Sequence, residues 1–470
     1  MSKPLPPSKP LRRFVARREF VAGIAAASVF SIVPRRVLGG PGHVPPSERI
    51  NIGCIGVGGQ GTEDMQQFLA NPRAQVVAVC DVRRSCDYSA FYFGGVKGRE
   101  PAKELVNATY AKRDGVEKYA GCEAFIDFGE MLEEADVDAV SIGTPDHLHA
   151  IPAMAAMRRG KHVYCQKPLT YTVREARALA DAAKEHGVVT QMGNQGHASD
   201  RLKQLVELLK AGAIGHTREI HCWAAATFGG VHRPKDAPLV PEGLHWDKWI
   251  GPAPYRPYHP AYTPFEWRSW RDFGTGNLGD LGCHIMDPAT WAFGFPKTMT
   301  IESSSSPLNE DSWAAANTVR YRFNAPEMGP MTLTWYDGGL KPFRPAAMAE
   351  SGELPDSGGL YIGDDGIIVT AHGGDTQLFR KGRRADMDHP KPVIPRGENH
   401  YEEWVRACKG GAAPLSNFAY AGPLTEMVLM GNVGIQTGKR IEWDSERFEV
   451  TNLPDANRLL HREYREGWTL

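Results

Sequence analysis

The sequence offers no pairing signal for its cysteines. Eight are scattered along 470 residues, at positions 54, 80, 86, 122, 165, 222, 283 and 408, with no CxxC among them. That argues against a disulfide framework and a structural zinc site, and leaves several cysteines as small hydrophobes in apolar runs. A basic stripe is also lacking. The formal net charge is −1, and beyond the first 40 residues 46 basic groups face 54 acidic ones. A mildly acidic body speaks against nucleic acid and against anionic lipid surfaces as partners. Internal repeats are absent, and no low-complexity run lies beyond the N-terminal segment. What remains is a globular chain of 42% hydrophobic and 23% charged residues, long enough for two or three domains.

The first 40 residues concentrate positive charge: eight Lys or Arg against a lone acid, Glu19. Arg17-Arg18-Glu19-Phe20 leads into VAGIAAASVFSIV, an apolar run of 13 residues. Such a run is too short to span a bilayer, so no stable membrane insertion is expected. The arginine pair resembles a twin-arginine export signal, although Ala16 stands where Ser or Thr is common and Arg12-Arg13 forms a second pair. The expectation is an exported, periplasmic protein handled by the twin-arginine translocase. No clean small-x-small cleavage site precedes Arg35-Arg36.

Residues 34–48 are rich in Pro and Gly and read as a linker. Beyond them apolar strands (RINIGCI, AQVVAVCDV, VDAVSIG, KHVYCQ, VVTQMG) alternate with helical stretches such as HAIPAMAAMRRG and VREARALADAAKEHG. That rhythm predicts a parallel sheet covered on both faces. From about residue 216 the strands lengthen (HTREIHCWAAA, TMTIESSS, NTVRYRFN, MTLTWYDG, GIIVTAHG), which predicts an α+β domain with a large, mostly antiparallel sheet. An aromatic, proline-rich insertion occupies 240–273, and two helices follow near HYEEWVRACKG and PLTEMVLMGNVGIQTGK. The expected division is 1–47 signal and linker, 48–195 Rossmann domain, 196–445 substrate and oligomerisation domain, and 446–470 tail.

Gly56-Val57-Gly58-Gly59-Gln60-Gly61 fits G-x-G-x-x-G between a strand and a helical stretch, and Asp81 closes the next strand. The glycines permit a tight turn and close approach of backbone N–H groups to a pyrophosphate at a helix N-terminus. Asp81 would accept ribose hydroxyls and repel a 2′-phosphate, which favours NAD over NADP. Arg83 and Arg84 blunt that preference, because a nearby Arg can receive the phosphate.

With GVGGQG come Thr144-Pro145-Asp146-His147-Leu148-His149, Gln166-Lys167-Pro168, and Trp270-Arg271 followed by GTGNLGDLGCH over 274–284. In this order and spacing they resemble the Gfo/Idh/MocA family of sugar and cyclitol oxidoreductases, over roughly residues 48–445. The resemblance implies a Rossmann domain packed on an open, mainly antiparallel sheet, often with self-association into a homo-oligomer. It places Lys167 beside the nicotinamide and the reacting carbon, with Asp280 and His284 as catalytic partners. Thr144, Pro145, His149, Gln166 and Asn194 would lie along the cofactor. Gln166 departs from the family's glutamate. An amide keeps size and hydrogen-bonding capacity but cannot titrate. Either Lys167 loses a neighbouring negative charge and deprotonates more readily, or the chemistry is altered.

GDLGCHIMD puts Asp280, His284 and Asp287 on one face if it is helical. Removing a proton from a sugar carbinol suits a histidine base near neutral pH, with a carboxylate one turn away fixing its tautomer. His284 with Asp280 supplies both parts, and Lys167 can polarise the developing oxyanion. Asp287 is read as support or sugar contact. A metal site would need ligands this stretch does not provide. The substrate contacts expected are Lys167, Trp270, Arg271, Asp280 and His284, with Arg268, His259 and His400 as further candidates. Trp246, Trp249, Tyr255, Tyr258, Tyr262, Trp267 and Trp270 either pack against pyranose C–H faces or form a buried arm. Three functions fit: an NAD-dependent oxidoreductase acting on a sugar, glycoside or cyclitol hydroxyl; a redox-neutral glycoside hydrolase that retains its NAD; and a non-catalytic sugar-binding protein.

Overall fold

A computed structural model describes residues 44–326, 328–346, 348 and 353–470. Of the expected signal and linker, 1–47, residues 1–43 lie outside the described residues. Six strands lie parallel, with apolar runs covered on both faces: β1 (Ile50–Ile55), β2 (Ala74–Cys80), and, after a short ribbon of β3 (Cys86–Asp87) and β4 (Val96–Lys97), β5 (Glu123–Phe125), β6 (Ala139–Ile142), β7 (His162–Gln166) and β8 (Thr190–Gly193). EAF of β5 is the one member without a long apolar signature. The spatial order is β5-β2-β1-β6-β7-β8, all parallel. The crossovers are helices α1 (Gly59–Ala70), α2 (Arg99–Asp114), α3 (Phe128–Glu134), α4 (Ala150–Arg158) and α5 (Val173–His186). Sequence order reverses at β1, between β2 and β6, which puts a ligand crevice outside the carboxyl ends of these strands.

After α6 (Asp200–Lys210) comes β9 (Thr217–Trp223). The aromatic insertion then yields α7 (Trp246–Ile250), and α8 (Gly276–Ile285) and α9 (Asp287–Phe293) follow. A run of strands completes the second sheet: β10 (Thr298–Ser305), β11 (Asn317–Ala325), β12 (Gly329–Tyr336), β13 (Gly358–Gly363), β14 (Ile367–Ala371), β15 (Thr376–Arg380) and β16 (Arg383–Ala385). Two helices, α10 (His400–Cys408) and α11 (Phe418–Thr437), precede β17 (Ile441–Asp444) and β18 (Glu449–Val450). The order is β16-β15-β14-β13-β9-β12-β11-β10-β17-β18. Only β9 against β12 is parallel, so the expected open, mainly antiparallel sheet is present.

The late helices join the two sheets. Trp404 and Val405 of α10 are buried with Ile52, Val76 and Phe68 in the core under the parallel sheet. α11 is buried almost all round, which explains why its sequence shows an apolar run and not a one-sided stripe. It packs on α5, α8 and β10, and its Leu424, Val428 and Val433 share one core with Ile142, Leu179 and Ile301. The segment expected as a tail is integrated. β18 pairs with β17, Arg462 donates to the His147 carbonyl (2.6 Å), and Trp468 reaches the crevice of the parallel sheet. None of the eight cysteines is paired. Among the described residues no helix is long and apolar enough to cross a membrane.

Candidate active site

The crevice begins where β1 runs into the glycine turn. Gly56 has φ +77°, a left-handed conformation that a side chain would strain. Gly61 lets α1 lie against that turn: a Cβ there would sit 1.8 Å from the Gly56 carbonyl oxygen. Gly61 is therefore a packing glycine, while Gly56, Gly58, Gly59 and Gln60 line the crevice. Tyr88 and Phe93, from the insertion between β2 and α2, lie over the turn. A Cβ on Gly58 would be 2.5 Å from the Tyr88 hydroxyl, and one on Gly59 would be 2.4 Å from the Phe93 ring. Phe93 belongs to an aromatic strap in which Phe91 stacks on Phe265 from the far side of the crevice, at 4.9 Å between centroids.

Asp81 stands at the end of β2 and lines the crevice. Its carboxylate accepts the Val57 N–H (2.9 Å) and the Arg83 N–H (2.8 Å), so it braces the glycine turn. A second lone pair remains on each oxygen for a ribose hydroxyl. Arg83 also lines the crevice, with one guanidinium nitrogen 3.1 Å from the Cys86 sulfur. The cradle, the helix N-terminus and the strand-end acid together fit a dinucleotide. Gly56, Gly58, Gly59, Gln60 and Asp81 would hold its adenosine and pyrophosphate half.

The other end of the crevice is built by the ends of β6 and β7. Thr144, Pro145, His149, Gln166 and Lys167 all line it. Buried His149 sits between the two turns, its ring nitrogens 2.8 Å from the Pro168 carbonyl and 2.9 Å from that of Thr144. Burial lowers its pKa to about 4, so it is a neutral brace and not a proton carrier at neutral pH. Gln166 donates to Asp64 of α1 at 2.7 Å. Asp64 is fully buried, and burial raises its pKa to about 6 despite hydrogen bonds from Gln60, Tyr401 and Gln166. A glutamate at 166 would set two carboxylates face to face here, which gives a physical reason for the amide.

Lys167 does not lack a counter-charge. Its ammonium lies 2.7 Å from the Asp280 carboxylate and 2.9 Å from the Asp280 carbonyl. Arg268 reaches the same carboxylate oxygen at 3.2 Å, its guanidinium over the Trp267 and Phe265 rings. Burial alone would raise the Asp280 carboxyl, but Lys167 and Arg268 outweigh it and hold it below the usual carboxylate range. Asp280 is thus the anionic centre of a buried cation–anion–cation cluster. This corrects the expectation that it orients His284. Its carboxylate is engaged by Lys167 and Arg268, and His284 has no hydrogen bond among the described residues.

α8 ends at Ile285, before Asp287, so the three groups of GDLGCHIMD part company. His284 lines a second cavity, together with His197, Asp287 and His372, and Lys167 is not among the residues of its wall. Burial, then the positive charges of Lys167 and His372, push its imidazole well below the ordinary histidine value. The histidine–carboxylate pair expected at 284 and 280 occurs instead at His197 and Asp287, with 2.9 Å from Nδ1 to the carboxylate. Tyr420 (2.6 Å) and Asn194 (3.3 Å) donate to the same carboxylate, so Asn194 supports this pair and does not line the cofactor crevice.

Other expected contacts turn out to be structural. Trp270 is buried, its indole N–H donating to the Ala261 carbonyl at 2.8 Å. Arg271 is spent on the Asn309 carbonyl (3.0 Å) and the Gln436 side chain (2.7 Å). Neither lines the crevice or the second cavity. His259 pairs with Asp236, and buried His400 approaches the Met192 carbonyl at 2.8 Å. Trp246, Trp249, Tyr258, Tyr262, Trp267 and Trp270 form one core cluster, from which Trp249 and Trp267 reach the crevice; Tyr255 is exposed. Sequence reasoning missed Asp146, which lies inside the quoted TPDHLH motif. It lines the crevice and fixes the start of α8 by accepting the Thr275 N–H (2.9 Å) and hydroxyl (2.6 Å). Burial raises its pKa to about 7.

The NAD-binding Rossmann domain of the Gfo/Idh/MocA oxidoreductase family matches residues 50–194, and the family's C-terminal α/β domain matches 215–326. The chain belongs to the Gfo/Idh/MocA family. Levoglucosan dehydrogenase of Pseudarthrobacter phenanthrenivorans is 27% identical over 200 residues, 41% of this chain and 44% of that enzyme. A glycosyl hydrolase family 109 protein of Shewanella pealeana is 25% identical over 215 residues, 42% of this chain and 43% of that protein. These alignments span less than half the length of either relative. The fold matches the WlbA dehydrogenase of Bordetella pertussis, solved with NADH and UDP-GlcNAcA, at TM-score 0.56 and 16% identity, covering 83% of this chain and 98% of that one. The parallel-sheet half is therefore an NAD-binding Rossmann domain.

Proposed function

We propose that the protein is an NAD-dependent oxidoreductase that oxidises a hydroxyl of a sugar, glycoside or cyclitol. The observation that carries this reading is the placement of Lys167. It lines the crevice, is ion-paired with Asp280, and its positive charge helps keep His284 neutral. NAD held there supplies the acceptor for the carbinol hydride. The chain's part is to manage the proton and the charge. Because its pKa is lowered, His284 is unprotonated at neutral pH and can accept the hydroxyl proton. Lys167 places a positive charge where alkoxide character develops, and Asp280 with Arg268 keeps it in position. Asp146 anchors the helix that carries both Asp280 and His284.

A second reading, redox-neutral glycoside cleavage on a retained cofactor, draws support from the strap over Gly58 and Gly59 and from the family 109 relative. One preparation tests both. The protein is purified without nucleotide and denatured, and the supernatant is assayed for NAD(H) and NADP(H). About one nicotinamide per chain, with glycoside cleavage and solvent deuterium in the product, favours the retained-cofactor reading. NADH that accumulates with added NAD and a sugar favours the dehydrogenase. Binding without turnover would leave a sugar-binding protein.

We further place the protein in the periplasm, delivered by the twin-arginine translocase, on the strength of Arg17-Arg18 and the apolar run after them. Export of a fusion to residues 1–45 in a strain lacking that translocase would overturn this. Self-association is assigned to the open face of the mixed sheet, where Thr300, Arg322 and Thr332 stand in register. Sedimentation equilibrium measures it.

A further inference from the structure

The segment 461–470 is tied down along its length. Arg462 donates to the His147 carbonyl at 2.6 Å, with its guanidinium 4.4 Å from the centre of the Tyr171 ring. The Tyr464 hydroxyl donates to the Glu175 carboxylate at 2.7 Å. Arg465 donates from its backbone N–H to the Pro252 carbonyl (3.0 Å) and from its side chain to the Gly251 carbonyl (2.9 Å). Arg158 of α4 donates to the Leu470 carbonyl oxygen at 3.2 Å. Between these last anchors Gly467 takes φ +86°, a left-handed turn that a side chain would strain. Trp468 follows it. The side chain is half-buried and lines the crevice, its ring centroid 6.4 Å from that of Phe128. Ordering such a segment costs conformational entropy at every residue, and its product at the crevice is one fixed aromatic ring.

Trp468 stands at the end of the crevice away from Lys167. β5 is the edge strand beside β2, and the Asp81 N–H donates to the Phe125 carbonyl at 3.1 Å, so Ile126 and Phe128 adjoin the acid that would hold a ribose. Lys167 follows β7, three strand spacings from β2, or about 14 Å. A dinucleotide with one ribose at Asp81 and its nicotinamide toward Lys167 would therefore place its adenine on the β5 side. Ile126, Phe128, Leu148 and Trp468 give the crevice apolar walls there, and the charged pair beside them, Lys248 and Asp127, is mutually satisfied. Flat apolar faces suit a base, because every base has a π-face to stack. We propose that Trp468 closes the adenine end of the crevice and packs its indole on the adenine ring, the 461–470 segment acting as its clamp. The proposal rests on the NAD reading of the crevice and needs nothing of the sugar.

The test is calorimetric titration of the full-length protein, dialysed free of nucleotide, with NADH and with ADP-ribose, which keeps the adenosine half and lacks nicotinamide. Trp468→Ala should weaken both by the same factor, roughly 10-fold or more, as expected for a lost base–aromatic stack. Trp468→Phe keeps an aromatic face and should recover most of the loss. Equal binding by wild type and W468A overturns the proposal and leaves the NAD reading of the crevice standing. A loss confined to NADH also overturns it, because Trp468 would then act on the nicotinamide half. Wild type that binds neither ligand overturns this proposal together with the NAD reading. Should W468A fail to fold, ¹⁹F NMR of protein labelled with fluorotryptophan decides. The Trp468 signal, identified by its loss in W468F, must move on addition of ADP-ribose, and a static signal refutes the contact.

Discussion

Asp280→Asn removes the anion between two buried cations, and its cost can be worked from the geometry. Lys167 Nζ lies 2.7 Å and Arg268 Nε 3.2 Å from the same oxygen, and all three side chains are at most 15% exposed. At an effective dielectric of about 20, each contact represents roughly 5–6 kcal/mol of gross attraction. Desolvation of the three groups offsets most of that, so the measurable quantity is the penalty for stranding the cations, about 3–5 kcal/mol. The carboxylate is held below its unfolded value, so its stabilising contribution is fully present above about pH 4 and is lost as pH falls further. The assay is a double-mutant cycle of D280N and K167M by chemical denaturation at pH 7. D280N alone should lose about 3 kcal/mol, and adding K167M should return part of it, with a coupling of at least about 1 kcal/mol. A loss under about 1 kcal/mol for D280N, or strict additivity with K167M, would refute the cluster as the element that holds Lys167.

Three further outcomes follow from the same structure. Gln166→Glu would set a carboxylate against Asp64, whose pKa is already about 6, so thermal stability should drop more at pH 8 than at pH 5; an unchanged melting temperature at pH 8 would contradict the pairing. Asp146 has a folded pKa of about 7, above its unfolded value, so its protonation favours folding at low pH and that stability is lost as pH rises through 7. D146N should therefore gain stability relative to wild type as pH rises from about 4 to 7, by up to about 4 kcal/mol in all, and a pH-independent difference in denaturant midpoints would refute it. Phe265→Ala unstacks Phe91 and loosens the strap over the glycine turn, so NAD release followed by stopped-flow fluorescence should quicken roughly 10-fold, and an unchanged rate would show that the strap does not retain the cofactor.

Much of the architecture was legible because burial and turn chemistry leave local marks. Continuous apolar runs mark strands covered on both faces, and the glycines at 56 and 61 mark a positive φ and a close approach. The lengthening of strands after residue 216 marks the second sheet. The pairing of charges was not legible. Spacing of four on a helix placed Asp280 and His284 on one side, but which group a carboxylate meets depends on what the opposing domain presents. Here Lys167 and Arg268 reach Asp280 first, and the histidine that meets a carboxylate, His197, comes from the turn after β8. Trp270 and Arg271 sit in a motif-rich stretch, yet Trp270 turns back on Ala261 within the aromatic insertion and the partners of Arg271, Asn309 and Gln436, are distant in sequence. Asp146 escaped notice because an acid beside a Thr-Pro turn has no periodic signal, only a role fixed by the domain packed against it.

The proposed chemistry has Lys167 and His284 act on a carbohydrate hydroxyl beside bound NAD. Single-turnover absorbance at 340 nm, with NAD-loaded protein mixed with a panel of sugars, glycosides and cyclitols, tests it most directly. An NADH band is expected with at least one member of the panel, with a rate at least about 100-fold lower in both Lys167→Met and His284→Ala. A band that forms at near wild-type rate in either variant, or no band with any member of the panel, would contradict it.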